Sequence, residues 1–388
     1  MDWPLNYLRV VQETKVFGII IMNSFKSLLR RNWQVRFRKF EQLLISWNGR
    51  HFDSIFQRIE VVKTFAMSRL YYLSSILPLP KGTAKLIEAA VGKFIWSCSG
   101  KILRVPIEVL KLPFEKGGCK LPCITRMSKS LILTQLLRLL KSNDLKSVDH
   151  LGYWVGEILA DFLPGLDNGD HSENLGGYYG YLSSLIVDIK LADYVNQGNW
   201  KVITNKKLYS ALCQDLPSPK VEAAGNASLK RAWENLRADC LTSSLREILY
   251  LVIHNKLPVR ERMFRIGHAN DPYCPWCLEF NETLNCDVKH FFCECVRVVR
   301  IWEKIMTVMS NLLGTWNMSS DQLIRLNVSF SRCPGAVWLI GAFMEKLWNK
   351  REDITVCEDE LFGFLRFKFK HGKLGTGSQI DVVLGMLK

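Results

Sequence analysis

A mainly α-helical chain is predicted: a bundle of helices, a small Cys/His module and a further set of helices towards the carboxy terminus. Three observations predict it. Apolar residues recur at spacings of three and four through most of the sequence, the period of a helix that buries one face. Only one short run, 16–22, has the β-branched apolar character of a buried strand. A single segment between Tyr273 and Cys295 breaks the later helical pattern with a dense group of cysteines and a histidine.

The 388 residues suffice for two or three domains, and 48% hydrophobic with 23% charged residues is the composition of a chain that buries cores. No repeat or low-complexity tract is present, which argues against a solenoid or a disordered chain. The longest apolar runs, 16–22 and 335–344, fall well short of the ~20 residues needed to cross a bilayer. The start, Met1-Asp2-Trp3-Pro4, lacks the basic and apolar regions of a signal peptide. The expectation is therefore a nuclear or cytoplasmic protein with no membrane partner. In such reducing compartments the twelve cysteines read as free thiols or metal ligands rather than disulfides.

The elements follow in order. Residues 16–22 form the expected strand, alone, as if cut from a larger sheet. Trp33, Phe37, Phe40, Leu44 and Trp47 then draw the stripe of a first helix, and Ile55, Ile59, Val62, Ala66, Leu70 and Leu73 that of a second, which Pro78 and Pro80 end. On the wheel of the second helix Arg58 and Arg69 flank the stripe on one side and Lys63 on the other. A third helix is expected over about 85–96, then a Gly/Pro-punctuated crossing through Gly117-Gly118 to a fourth, buried helix over 127–141. The stretch 164–180 reads as a loop or boundary, and helical patterning resumes near Ala227. Charge is uneven along this order. Residues 1–150 carry 25 Lys+Arg against 10 Asp+Glu, a net +15; residues 151–220 carry 5 against 8, a net −3; residues 221–388 carry 22 against 19, a net +3. A positive field confined to the first 150 residues suits a phosphate-backbone partner, because each neutralised phosphate releases condensed counterions.

Cys274-Pro275-Trp276-Cys277 is followed, after twelve residues, by His290-Phe291-Phe292-Cys293-Glu294-Cys295. Two cysteines separated by two residues hold one tetrahedral ion through a tight turn, and a later Cys/His pair completes the ligand set that zinc prefers. Four protein ligands make such a site closed and structural. The local pattern leaves the fourth ligand open. His290 and Cys293 share a face of an α-helix, Cys295 becomes reachable only if His290 precedes the helix, and Cys286 is a further candidate. A redox Cys-X-X-Cys would open a helix after a strand, and Asn270-Asp271-Pro272-Tyr273 does not supply that strand.

These residues resemble the zinc-binding module that follows the reverse transcriptase domain of LINE-type, non-LTR retrotransposons. Leu257-Pro258-Val259-Arg260-Glu261-Arg262 leads in, Arg265 and Gly267 follow, Glu282-Thr283 resembles the Glu-Thr of that module, and Trp302 stands seven residues after the last cysteine. The resemblance implies Cys274, Cys277, His290 and Cys295 as the ligands of one structural zinc. Residues 285–289 lengthen the spacing before His290 relative to that pattern. The amino-terminal half is similar to the end of palm and the thumb of the same polymerases. Lys15-Val16-Phe17-Gly18-Ile19 resembles the last palm strand; Trp47, Arg50, Arg58-Ile59 and Lys63 resemble the thumb signature; Tyr72, Leu77-Pro78-Leu79-Pro80, Phe94-Ile95-Trp96, Arg104, Pro113, Gly117-Gly118 and Leu121-Pro122 continue it, and Trp348 and Arg351 resemble the tail. Gln57 stands where that family has glycine, and Phe52-Asp53 where it has Leu-Ser.

The resemblance implies a residual end of palm over 1–24, a thumb-like helical region over 25–141, an unassigned linker over 142–226, a zinc-binding module with flanking helices over 227–310 and a helical region over 311–388. It implies RNA or DNA partners, contacted through Arg50, Arg58, Lys63 and Arg69, and no small-molecule substrate. The aromatic-X-Asp-Asp turn that holds catalytic metals in reverse transcriptases is absent from the sequence, so no polymerase activity is expected. Two rival readings are a nuclease, whose only nearby acidic candidates are Glu358, Asp359 and Glu360 with Lys368, and a domesticated protein-interaction scaffold. Divalent-metal-dependent cleavage would mark the first; indifference to nucleic acid with a stable protein partner would mark the second.

Overall fold

The computed structural model describes residues 11–96, 105–141, 153, 176–188, 203–214, 229–351, 358–372 and 374–386. In chain order they form β1 (Glu13–Val16), β2 (Ile19–Met22), α1 (Phe25–Asn48), α2 (Ile55–Val61), α3 (Ser68–Ser74), α4 (Lys81–Trp96), α5 (Ile107–Leu110), α6 (Ile124–Lys141), α7 (Gly177–Asp188) and α8 (Asn205–Leu212). These are followed by α9 (Lys230–Asn235), α10 (Ser243–Ile253), α11 (Arg260–Arg265), α12 (Pro275–Leu278), α13 (Val299–Leu313), α14 (Ser320–Ile324), α15 (Ala336–Asn349), α16 (Glu358–His371) and α17 (Gly377–Met386). Two π-helical stretches, Val62–Met67 and His290–Glu294, complete the set with a 3-10 turn at Phe114–Lys116. The protein is mainly helical, as the periodicity predicts, with a single two-stranded sheet among the described residues.

The chain divides into two compact units, one of Met1–His51, Ile59–Ser99 and Leu121–Leu216, the other of Phe52–Arg58, Gly100–Lys120 and Pro217–Lys388. The first begins with a β-hairpin rather than the single buried strand expected over 16–22. Glu13 pairs with Met22 and Val16 with Ile19, so Phe17-Gly18 is a two-residue loop. Both loop residues have positive φ, 48° and 82°, as the right-handed strand twist demands of such short turns. Ile19 is buried, but Val16 and Ile21 are exposed and Phe17 is 90% exposed. The turn is hard to read because Phe17 stands at the first loop position, where asparagine, aspartate or glycine would mark it. The hairpin is pinned to α1 by Asn32, whose carboxamide accepts from the Ile20 amide (2.9 Å) and donates to the Ile20 carbonyl (2.7 Å), taking the place of a neighbouring strand.

Trp33, Phe40 and Leu44 are buried along α1 as expected, and the Trp33 indole N–H donates to the Pro78 carbonyl (2.8 Å). This bond ties the Leu77–Pro80 connection to α1. The second stripe is buried at Ile59, Val62, Ala66, Leu70 and Leu73, with the π-helical stretch inserted in its middle. α4 starts at Lys81, a turn earlier than the expected helix. Within the segment left unassigned, α7 and α8 pack on α6: Ile132, Leu133, Leu136 and Leu137 share a buried cluster with Leu182, Leu185, Ile186 and Leu208. Residues 177–180 thus belong to a helix instead of the expected loop, and 164–175 lie outside the described residues. Three aromatics and two leucines override the turn propensity of that helix's glycines.

In the second unit Gly117-Gly118 is a point of close packing. Gly117 adopts φ +75°, and a side chain there would meet the Trp233 indole at 2.6 Å; one at Gly118 would meet the Leu112 carbonyl oxygen at 2.0 Å. The freed carbonyl of Gly117 accepts from the Tyr250 hydroxyl (3.1 Å) and lies 2.9 Å from His254 Nε2, inside an aromatic cage with Trp233. Burial pushes the His254 pKa down to about 4. α10 and α15 form the centre of this unit, where the stretch from Val337 to Met344 is almost wholly buried.

Candidate metal centre

The Cys/His segment is built from three short pieces. Residues 272–274 and 284–286 pair as an irregular ribbon, with Cys286 N–H donating to the Pro272 carbonyl and Cys274 N–H to the Leu284 carbonyl. Cys274 then caps the single-turn helix α12, with Pro275 at its first position, where a missing N–H costs nothing. The chain reverses through Asn281 (φ 60°), and the Asp287 carboxylate accepts from the His290 amide (2.7 Å) at the start of the third piece.

That third piece decides the ligand left open by the sequence. In an α-helix His290 and Cys295 would point about 140° apart. His290–Glu294 is instead π-helical, and the Cys295 amide donates to the His290 carbonyl (2.9 Å), five residues back. Residues bonded at i and i+5 stack on one face. Cys295 itself is extended (φ −61°, ψ 135°), which turns its thiol into the cluster as the chain leaves the helix.

Cys274, Cys277, His290 and Cys295 are all buried, and their ligating atoms lie within 4.8 Å of one another. Cys274 Sγ and Cys295 Sγ are 3.8 Å apart, Cys277 Sγ and Cys295 Sγ 3.9 Å, and Cys277 Sγ and His290 Nε2 3.3 Å. A tetrahedral ion with bonds of about 2.3 Å to sulfur and 2.0–2.1 Å to nitrogen requires S···S edges of about 3.8 Å and S···N edges of about 3.5 Å. Three of the six edges come within about 0.2 Å of these values, the rest are no longer than 4.8 Å, and the cluster can hold a metal ion.

Burial pushes the Cys277 thiol up, while backbone N–H groups act the other way on all three ligand sulfurs. Each ligand sulfur accepts a backbone N–H: Cys274 from Cys277, Cys277 from Val296, and Cys295 from Arg297. Such bonds stabilise the negative form and orient the ligand. Hydrogen bonds from the Cys286 and Cys295 thiols hold the Cys274 pKa far below the ordinary thiol value, while the same bonds push Cys286 and Cys295 up. Three sulfurs around one negative charge is the arrangement a cation would resolve, since it lowers every ligand thiol at once. Cys293 is 2% exposed and outside the cluster; burial raises its pKa. Cys286 stands beside the four as a hydrogen-bond partner of Cys274, a role that no spacing rule indicates.

A hydrophobic wall surrounds the site. Trp276 packs on Phe291 (ring centroids 5.5 Å apart), and Phe291 on Trp348 of α15 (5.5 Å), whose other neighbour is the Arg351 guanidinium (5.0 Å). Trp302 donates its indole N–H to Ser320 (2.9 Å) and packs on Phe343. Outside, Arg260 clamps Asp271 with two parallel bonds of 3.1 and 2.8 Å. The acidic trio at the start of α16 shows no convergence on Lys368: Glu358 takes Lys304 and Glu360 takes Lys350 (2.8 Å).

The four expected nucleic-acid contacts are not gathered in one unit. Arg50 is exposed, its guanidinium 4.1 Å over the Trp47 ring, which itself stacks on Phe65. Arg69 is exposed, and Lys63 pairs with Glu60 (2.7 Å). These three belong to the first unit and Arg58 to the second, where it lies 4.6 Å over Phe52. Burial lowers the Arg58 pKa, and Glu247 offsets part of that.

Fold and site together define a helical protein with a buried three-cysteine, one-histidine cluster. Neither known family models nor curated proteins match the chain. No helix among the described residues is long and apolar enough to cross a membrane.

Proposed function

We propose that the protein is a non-catalytic, nucleic-acid-binding portion of a LINE-type retrotransposon reverse transcriptase. Its first unit carries thumb-like helices, and its second a module organised by one structural zinc. The observation that carries this reading is the buried Cys3His cluster, because its residues are those the resemblance assigns and the three shortest of its edges suit a tetrahedral zinc site. Four protein ligands and an apolar wall leave no place for a substrate, so the zinc holds the module together and does no chemistry. Cys274, Cys277, His290 and Cys295 hold the ion; Asp287 and the backbone N–H groups orient them.

The partner is RNA or DNA, contacted mainly through phosphates, and the support for this is the excess charge of residues 1–150. A test on the purified protein measures zinc by elemental analysis and binding to a template-primer duplex by fluorescence anisotropy across a salt series. One equivalent of zinc and an affinity falling linearly with the logarithm of salt are expected. A folded, zinc-free protein indifferent to nucleic acid would falsify the reading.

A further inference from the structure

α1 and the start of α4 enclose a groove in the first unit that the four expected contacts do not use. Its volume is about 720 Å³, within the roughly 300 to 1,000 Å³ typical of ligand-binding clefts. Lys26, Leu29, Arg30 and Phe37 line it from α1, and Pro80 and Leu86 from the other side. Its floor is fixed, because Trp33 is fully buried beneath it and bonded to the Pro78 carbonyl. Leu86 is 55% exposed, an apolar surface that nothing among the described residues covers.

The charges around the groove select its occupant. α1 carries six Lys and Arg and a single acid, Glu41. Arg31 pairs with Glu13 (3.6 Å), whereas Lys26, Arg30, Arg36, Arg38 and Lys39 have no ion-pair partner among the described residues. Lys26, Arg30 and Gln34 follow one another at intervals of four, so they form a row on the groove side of the helix. Arg36, Arg38 and Lys39 lie on other faces of α1, so the groove's own cations are Lys26 and Arg30, about 6 Å apart along the axis, two positive points rather than one.

We propose that this groove binds an unpaired stretch of polynucleotide, its bases over Leu29, Phe37 and Leu86 and its phosphates against Lys26 and Arg30. An apolar floor beside a basic rim is the arrangement that recognises single strands, because a base in a duplex has no free face to lay on it. The inference rests on the nucleic-acid reading above but assigns a separate surface with a different preference.

Full-length protein, Lys26→Gln/Arg30→Gln, Leu86→Glu and Arg50→Gln/Lys63→Gln/Arg69→Gln are titrated with a 12-nucleotide oligo(U), the matching oligo(dT), a 12-base-pair duplex and a poly-glutamate peptide. Circular dichroism melts confirm that each variant folds; all the groove substitutions are at exposed positions. Leu86→Glu is expected to weaken single-strand binding about tenfold. The double Gln variant should make its log–log salt slope shallower by about 1.4, two contacts at about 0.7 each. Duplex binding should stay within about twofold in both, since backbone contacts elsewhere carry it. A preference for oligo(U) over oligo(dT) would identify RNA as the strand; equal binding would mean that the groove accepts either. Unchanged single-strand affinity in both groove variants, with duplex binding intact, would overturn the groove and leave the broader reading standing. Poly-glutamate bound as tightly as oligo(U), and lost with the same substitutions, would assign the groove to an acidic protein segment instead. Wild-type protein that binds no nucleic acid would overturn both.

Discussion

Cys293 and Cys295 are both buried, yet only Cys295 joins the cluster with His290, because its own amide donates to the His290 carbonyl, five residues back instead of four. Cys286 is equally buried and only hydrogen-bonds to Cys274. Replacing Cys293 or Cys286 by serine is therefore expected to keep the metal, and replacing Cys295 to lose it, as read by elemental analysis of the purified variants; the opposite pattern would mean a different ligand set. His254 makes a prediction about pH. Its pKa is about 4 in the fold against 6.5 when free, so the unfolded chain takes up a proton that the folded chain refuses. Stability is full above 6.5 and falls as pH drops towards 4, by about 3 kcal/mol for this group. Urea titrations at pH 7 and pH 4.5 should show a smaller loss for His254→Gln than for the wild type. Equal losses would mean that His254 is not protonated on unfolding.

Among the elements, the amino-terminal hairpin has the fewest means of staying folded. Two strands of four residues are marginal alone, and Asn32 supplies the two hydrogen bonds that a third strand would make. Asn32→Ala should cost about 3 kcal/mol, roughly 1 for each of the three bonds lost, the third being to the Leu28 carbonyl, and the Ile20 amide should exchange faster while α6 stays protected. The Gly117-Gly118 turn is the opposite case, an element without slack. Gly117→Ala imposes a strained φ and a clash with Trp233 together, so a loss of at least about 2 kcal/mol is expected in thermal melts. A neutral result would show that the indole can move aside.

For the whole molecule, the presence of two compact units means that removing the metal should not act everywhere alike. Structural zinc in small modules supplies about 10 to 16 kcal/mol of apparent binding free energy, so a chelator should unfold the module around it. Hydrogen exchange is expected to rise in residues 260–302 and to stay unchanged in α1 and α6; a uniform rise across the chain would deny the units independent stability. Net charge does not follow this division: the first unit carries 23 Lys+Arg against 15 Asp+Glu, a net +8, and the second 29 against 22, a net +7. The cations of α1 without ion-pair partners among the described residues lie in the first unit, so metal removal should leave most duplex affinity and its salt slope in place. Loss of both would move the nucleic-acid contact to the metal-containing half.

The sequence by itself determined the helical class, the order of the long helices before residue 142 and the site's chemistry, because each is written in short-range terms. A period of three and four marks α1 and the stripe from Ile59 to Leu73, and Cys-X-X-Cys with a later His marks a soft-ligand cluster wherever the chain goes. The resemblance pointed to Cys295, but the residue pattern alone left Cys293 and Cys286 as rivals. What settles the geometry is a backbone choice, π over α for five residues, in a segment whose Phe291 packs on Phe292, on Trp276 and on Trp348, the last more than fifty positions away. The hairpin turn, the packing of α7 and α8 on α6, and the groove between α1 and α4 are likewise decided by tertiary structure. Each depends on which distant side chain fills the space beside a residue, and no local period records that.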